Sequence, residues 1–370
     1  MISAGPEALI NRFLLSNRLF VGIGLISFPL YLWHWPLLSF ARIAQGSTPH
    51  LKIRLSAIIL AIALSWLTYK LIEKPIRFGS WRKTSTLLLL AGMFAVGSIG
   101  YVIQYNKKGL FDYIEQARIK NKGDLDFPPY FIELKQKYYP CMPEEIRRET
   151  PTLNLFSNFS RCFQSQNNEA QKMAIIGDSH AEHLFLGLAE ALPRKNIVYY
   201  SKGPPPMIKY EQYDKIYRHV LNSPTIKTVI LSAYWNPQSN DKNFKPNLYH
   251  TVNTLTAAKK KVYITDDVPG FSFPPQRCKY KSRFGNINIC EESRQAFDKR
   301  HQIYYPVLQE IAKSNPYVKI VNISDFFCSS GSCHMAKDGF LLYRDDTHIN
   351  IIGSRLLGKK IVGENPQLAD

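Results

Sequence analysis

The sequence predicts an α/β fold: a doubly wound parallel sheet of five strands in a three-layer arrangement, preceded by three transmembrane helices. Three observations predict it. Apolar residues before Asn106 fall in long runs. Those after about residue 165 fall in short runs, each followed by a helical pattern. The candidate functional residues sit just after these short runs, at the strand ends where such sheets gather their functional groups.

The first long run, Leu19 to Ala41, holds no Asp, Glu, Lys or Arg, and its length suffices to cross a hydrocarbon core of ~30 Å. Leu55 to Ile72 is interrupted by charge only at Lys70, and Thr84 to Asn106 is again uncharged. This gives a membrane region 1–106 with spans at about 19–41, 55–72 and 84–106. A cleaved signal peptide does not fit, because the first run is too long and no small-residue cleavage site follows it. The connection Glu73 to Lys83 carries four basic residues in eleven, and Arg12 and Arg18 flank the first run. Basic connections favour the cytoplasm, which would deliver everything after Asn106 to the far side. Arg42, Lys52, Arg54, Lys107 and Lys108 weigh against that orientation. His34, between Trp33 and Trp35, reads either as a functional group at membrane depth or as part of an interfacial aromatic belt.

Residues 107–164 are polar, rich in Pro, Lys and Tyr, and read as a linker with short helices. The domain then runs from 165 to 370. Its strands are expected at Lys172–Ile176, Ile197–Tyr200, Thr228–Ala233, Lys261–Asp266 and Lys319–Ile323. Helical patterns fall at about 181–192, 211–222, 247–259, 292–314 and 350–362. Short apolar strands alternating with helices imply a parallel sheet covered on both faces.

The formal net charge is +18. Such a balance favours phosphorylated glycans, acidic lipid head groups or nucleic acid. No zinc-finger spacing, RNP-like aromatic pattern or basic helix-turn-helix accompanies it, so nucleic acid is not an expected partner. All six cysteines (Cys141, Cys162, Cys278, Cys290, Cys328, Cys333) follow the last apolar run. An even, loop-located set of this kind points to an oxidising compartment. They fall in near neighbours, although sequence leaves their connectivity open. No Cys-x-x-Cys pair occurs, and no metal site is expected.

Gly177-Asp178-Ser179-His180 follows the first strand and opens the first helix. A serine there exposes its hydroxyl at the sheet edge, and its N–H lies at a helix N-terminus that favours a developing oxyanion. Serine needs a base to become a nucleophile, and Ser and Asp are also ordinary helix caps. The base is expected in Tyr343-Arg344-Asp345-Asp346-Thr347-His348, just before the closing helix. His348 can reach the first strand's tip, and Asp345, one backbone turn earlier, can accept its other N–H and fix the tautomer. Asp345-Asp346 also suits a turn with helix capping.

Gly177-Asp178-Ser179 near the domain start with Asp345-x-x-His348 near its end resembles the SGNH (GDSL-like) hydrolase superfamily. The resemblance implies a flavodoxin-like sandwich with Ser179 as nucleophile, His348 as base and Asp345 as its orienter. It further implies oxyanion donors from Gly203, in Ser201-Lys202-Gly203-Pro204, and from an asparagine after the third strand. In Ser232-Ala233-Tyr234-Trp235-Asn236, Trp235 stands where that asparagine would fall and Asn236 comes one place late. The membrane part resembles the last two spans of acyltransferase-3 type membrane acyltransferases, through Phe28 to Pro36 and Ser65 to Pro75. In the subgroup fused to an SGNH domain, one extra span leads to an extracytoplasmic domain, and Thr84–Asn106 fits it. That family carries further N-terminal spans that handle the acyl donor. The chain accordingly reads as lacking that half or as a fragment of a longer protein.

These resemblances imply O-acetylation of an envelope polysaccharide, such as lipopolysaccharide O-antigen, through an acyl-enzyme on Ser179. No bound cofactor is expected, and acetyl-CoA or another acyl donor would serve the complete system. Expected partners are the polysaccharide acceptor, membrane lipid and a separate or missing membrane acyltransferase portion. The expected location is a bacterial inner membrane with the C-terminal domain in the periplasm. Two rivals stand beside this reading: a carbohydrate acetyl-esterase using the same three residues, and an inactive fragment or glycan-binding remnant.

Overall fold

A computed structural model describes residues 16–45, 49–78, 82–105, 127–148, 161–167, 169–239, 241–275, 278 and 290–369. The chain divides into two compact units, Met1–Arg118 and Ile119–Asp370.

In the first unit, helix α1 spans Arg18–Gln45 and α2 spans Leu51–Thr68. The latter continues through a π-helical turn, Tyr69–Glu73, into Lys74–Phe78. Trp33 donates its indole N–H to Thr68 Oγ1 at 3.0 Å and so ties α1 to α2. His34 Nδ1 lies 2.9 Å from the carbonyl of Leu30, one turn back. Large apolar side chains such as Phe28, Trp35, Ile59 and Leu71 face outward. Such a surface suits lipid rather than water.

Segments Arg18–Arg42 and Leu51–Phe78 are long and apolar enough to cross a membrane. Helix α3, Arg82–Tyr105, is different. Its apolar stretch, Thr86–Val102, is shorter, and at ~1.5 Å per residue it reaches only about 25 Å. The described residues therefore give two candidate spans where the sequence predicted three.

The second unit is built on a seven-stranded sheet, not the five expected. Its strands are β1 (Tyr139–Pro140), β2 (Arg161–Gln164), β3 (Gln171–Gly177), β4 (Asn196–Ser201), β5 (Thr228–Ser232) and β6 (Lys261–Thr265), then β8 (Val318–Val321). A separate pair joins β7 (Glu291–Ser293) to β9 (Ser332–His334). In space the large sheet runs β1-β2-β4-β3-β5-β6-β8. The five expected strands are its parallel part, in the doubly wound order second-first-third-fourth-fifth. The two extra strands come from the segment expected to be a linker and pair antiparallel at one edge. Cys141–Cys162 closes that addition, and Cys278–Cys290 and Cys328–Cys333 tie loops elsewhere in the unit.

Alternation along each strand sends side chains to two cores. Met173, Ile175, Ile197, Tyr199 and Ile230 join one, with α4 (Phe127–Lys137), α5 (Ser179–Ala191) and the closing helix. Ala174, Ile176, Val198, Tyr200 and Val229 join the other, with α6 (Asp214–Asn222) and α7 (Phe244–Ala257). The long helix expected at 292–314 is two, α8 (Arg294–His301) and α9 (Tyr305–Ser314). Pro306, at the start of α9, cannot donate an N–H to residue 302 and breaks the run. The chain closes with α10, Ile351–Glu364.

Helices α5 and α10 cross without room for side chains. A Cβ on Gly187 would stand 1.8 Å from the Ser354 carbonyl oxygen, and one on Gly358 would stand 2.2 Å from Gly187 carbon. This contact brings the end of the chain beside the helix that Ser179 opens.

Candidate active site

The switch point of the sheet, where its order reverses at β3, is where ligands bind in folds of this kind. Here β3 ends in Gly177, whose missing side chain lets the carbonyl of Ser232 approach; a Cβ would lie 1.6 Å from that oxygen. Asp178 caps α5. Its carboxylate accepts from the N–H of His180 at 2.8 Å and from the N–H of Tyr234 at 2.9 Å. One carboxylate thus fixes both the serine turn and the loop after β5. Ser179 follows, half-buried, as the first residue of the helix.

His348 reaches it from the loop before α10. The loop is a narrow turn, with Arg344 N–H donating to the His348 carbonyl at 2.9 Å and Tyr343 bridged to Ile349. Asn350 then caps α10 by accepting from the N–H of Gly353 at 2.8 Å. Within the turn, Asp345 accepts from the N–H groups of Thr347 at 2.9 Å and His348 at 2.7 Å. Its carboxylate oxygens lie 2.9 and 3.0 Å from His348 Nδ1. A carboxylate at Nδ1 places the proton there and leaves Nε2 as an acceptor. His348 Nε2 lies 2.7 Å from Ser179 Oγ, across 169 residues of sequence. The structure thus brings Ser179, His348 and Asp345 together. Asp346 is exposed and turns away into an adjoining cleft.

Electrostatics favour a neutral imidazole at His348. Burial is the foremost cause that pushes His348 down to about 4, and the nearby His180 and Arg344 charges add to it against the hydrogen bond from Asp345. Burial would raise Asp345, but the hydrogen bond and charge of His348 and the two backbone N–H groups hold it well below the usual carboxylate range.

Gly203 is exposed in the loop after β4, whose Lys202 N–H donates to the Gly177 carbonyl at 2.9 Å. Tyr213 Oη, 2.7 Å from the Pro204 carbonyl and 2.9 Å from that of Gly177, pins this loop beside the end of β3. Trp235 is core: it is fully buried and donates its indole N–H to the Thr265 carbonyl at 2.8 Å. Asn236 is half-buried and lines the cleft with Tyr234, Asp267, Phe271, Arg300 and Asp346. That cleft has a volume of about 260 Å³.

Sequence reasoning missed a second imidazole–carboxylate pair beside the first. His180 and Asp267 are both buried, with Nδ1 2.6 Å from Oδ1. His180 stacks on Tyr234 and packs against His348, with ring centroids 5.0 and 4.8 Å away. His183 is buried next to them, and neither of its ring nitrogens has a hydrogen-bond partner among the described residues. Burial, with the charges of His180, His348 and Arg344, holds it well below the ordinary imidazole range. The available signals were the histidine directly after Ser179 and the doubled aspartate just after β6.

The family described as "SGNH domain (fused to AT3 domains)" matches residues 145–362, more than half of the chain. The chain belongs to the SGNH domain family. Among curated proteins, the O-acetyltransferase OatA of Staphylococcus aureus is 32% identical over 96 residues, covering 25% of this chain and 16% of the relative. The chain thus matches only about a sixth of that protein's length. Among solved structures, the periplasmic domain of a lipopolysaccharide acetyltransferase from Salmonella ser. Paratyphi A is 14% identical. It aligns with a TM-score of 0.44 over 54% of this chain and 85% of its own. A putative acylhydrolase from Bacteroides fragilis aligns with a TM-score of 0.35 at 12% identity, over 68% of this chain and 100% of its own.

Proposed function

We propose that this SGNH domain transfers an acyl group, most simply acetyl, through Ser179 to a hydroxyl of a cell-envelope polysaccharide. The observation that carries the reading is the continuous hydrogen-bonded line Ser179 Oγ–His348 Nε2 and His348 Nδ1–Asp345. His348 takes the Oγ proton as Oγ attacks the acyl carbonyl, and the tetrahedral intermediate forms. The leaving group departs with that proton, and an acyl-serine remains. An acceptor hydroxyl then loses its proton to His348 and attacks the ester. Ser179 leaves, and the proton returns to it. Asp345 fixes the imidazole's tautomer and stabilises its charged form in both halves. The N–H of Ser179, at the α5 terminus, Gly203 and Asn236 are the proposed donors to the oxyanion.

Family membership and the OatA similarity support O-acyl transfer. The three disulfides and two span-capable helices support a membrane-attached domain outside the cytoplasm. On this reading the chain works with a membrane acyltransferase of the acyltransferase-3 type that supplies the acyl group from acetyl-CoA or another donor.

The test uses the full chain in detergent with an activated acetyl ester and a polysaccharide acceptor. The expected result is an acetyl adduct on Ser179 followed by acetyl on the glycan. Adduct that decays only to acetate, with no gain on any acceptor, would make the protein an esterase. Absence of the adduct overturns the reading.

A further inference from the structure

The His180–Asp267 pair has no part in the mechanism just described, yet it is held in a specific geometry. Asp267 adopts φ 77°, a left-handed conformation that a non-glycine residue seldom takes. In that conformation its Oδ1 accepts the N–H of Val268 at 2.7 Å and meets His180 Nδ1 at 2.6 Å. The backbone is bent to aim one carboxylate at one buried imidazole.

We propose that His180, held by Asp267, is a positioning residue that keeps a positive charge against His348, so that the base stays free of a proton in acidic surroundings. The inference rests on the reading of His348 as a base, and it explains why that base needs a neighbour of its own kind. The groups facing each ring define the field. Around His180 stand Asp178 and His183 from its own helix, Tyr234 after β5, Asp267 after β6, and Asp345 and His348 before α10. Around His348 stand Asp345, Arg344, His180 and His183.

Most of these are committed elsewhere or do not change charge. Asp178 spends its oxygens on two backbone N–H groups, and Asp345 is bonded to His348 itself. Arg344 lies 3.9 Å from the buried Glu182. His183 is held neutral by burial first, then by its cationic neighbours. His180 differs. Burial opposes its charge, but the charge and hydrogen bond of Asp267 raise it above the ordinary imidazole value. Its ring packs against His348, with centroids 4.8 Å apart, while its Nδ1 lies 2.6 Å from Asp267 Oδ1.

The test compares wild type with His180→Asn in the full chain, with histidine rings carbon-13 labelled and the His348 resonance followed by NMR through a pH titration. Asparagine keeps a donor toward Asp267 and removes the charge. The expected result is a His348 midpoint raised by about one pH unit. The acid limb of Ser179 acetylation should move up with it. Asp267→Asn strips His180 of its anchor and should move both in the same direction by less. It carries the test if His180→Asn does not fold. Coincident midpoints, or a midpoint moved down, overturn the inference. Failure of wild-type Ser179 to acetylate at any pH overturns the acyl-transfer reading instead, and the midpoints still decide this one.

Discussion

The two imidazole–carboxylate pairs of this site share the same residue types and are pushed in opposite directions. In His348–Asp345 the carboxylate is half-exposed and kept ionised by two backbone N–H groups and the imidazole, while the imidazole is driven down. In His180–Asp267 both partners are buried; burial raises Asp267 to about 6 against the pull of His180, and His180 is raised as well. The first pair turns its far nitrogen to a hydroxyl at the sheet edge. The second stacks the face of its ring on Tyr234 and packs against its histidine neighbours. Composition alone does not make a base. Exposure, the direction of the free nitrogen and the carboxylate's other bonds decide which pair can exchange protons with a substrate.

The sharpest way to break this comparison is to neutralise each carboxylate. Asp345→Asn should slow acetylation of Ser179 by ~10⁴-fold, because the wrong tautomer then faces Oγ. Asp267→Asn should leave most of the rate at neutral pH. Rapid-quench measurement of the acyl-serine checks both. Equal losses would mean that the pairs are not distinct in role.

Stability offers the next test. Glu182, one helical turn after Ser179, has a fully buried side chain and pairs with Arg161 of β2. The hydroxyl of Tyr130 donates to the Glu182 carbonyl at 2.5 Å, and Arg344 lies over the Tyr130 ring. Residues of the expected linker thereby brace the serine helix and the residue next to Asp345. Arg161→Met leaves a carboxylate buried without its main partner, at a cost of about 3 kcal/mol. A melting temperature lower by about 8 °C should report it. A change of under a degree would place the segment outside the site's framework.

How far the sequence reached follows from these same residues. Ser179 and His348 were legible because each stands at a strand end or helix start, and Asp345 because its spacing spans one turn. The five parallel strands were legible as short apolar runs. β1 and β2 were not: Tyr139-Pro140 and Arg161-Cys162-Phe163-Gln164 are short and polar, and join the sheet by pairing with each other and with β4. His180–Asp267 was hidden because it is long-range, 87 residues apart, and neither residue's position names the other as its partner. Of the third uncharged run, Thr84–Asn106, the apolar helix among the described residues is Thr86–Val102.

A smaller effect separates the pairs by their supports. His348–Asp345 depends on α10 lying against α5, whereas His180–Asp267 joins α5 to the end of β6. Gly187→Ala forces α5 and α10 apart at a contact that has no room, at about 1–3 kcal/mol. It should lower Ser179 acetylation while His180 titrates as before. Gly363 is the control, because a Cβ added there would meet nothing within 4 Å. Alanine at that position should be neutral or stabilise by up to ~1 kcal/mol through helix propensity. Thermal melts of the two variants should therefore move apart in sign.

The smallest expected change is the pH dependence of the wild type. A base must be neutral to take the serine proton, so acetylation rises with pH through the value of His348. With that value at about 4 rather than the ordinary 6.5, about nine tenths of the base is free at pH 5. The rate should then fall by only about a tenth between pH 7 and pH 5, where an ordinary histidine would lose most of it. The same shift has a sign for folding. Between 6.5 and about 4 the unfolded chain binds a proton at His348 that the folded chain refuses, so this group's contribution to stability shrinks as pH falls through the window. Activity that persists to pH 5 while thermal stability declines is the combined signature. A rate already halved near pH 6.5 would show that the folded protein does not lower His348 at all.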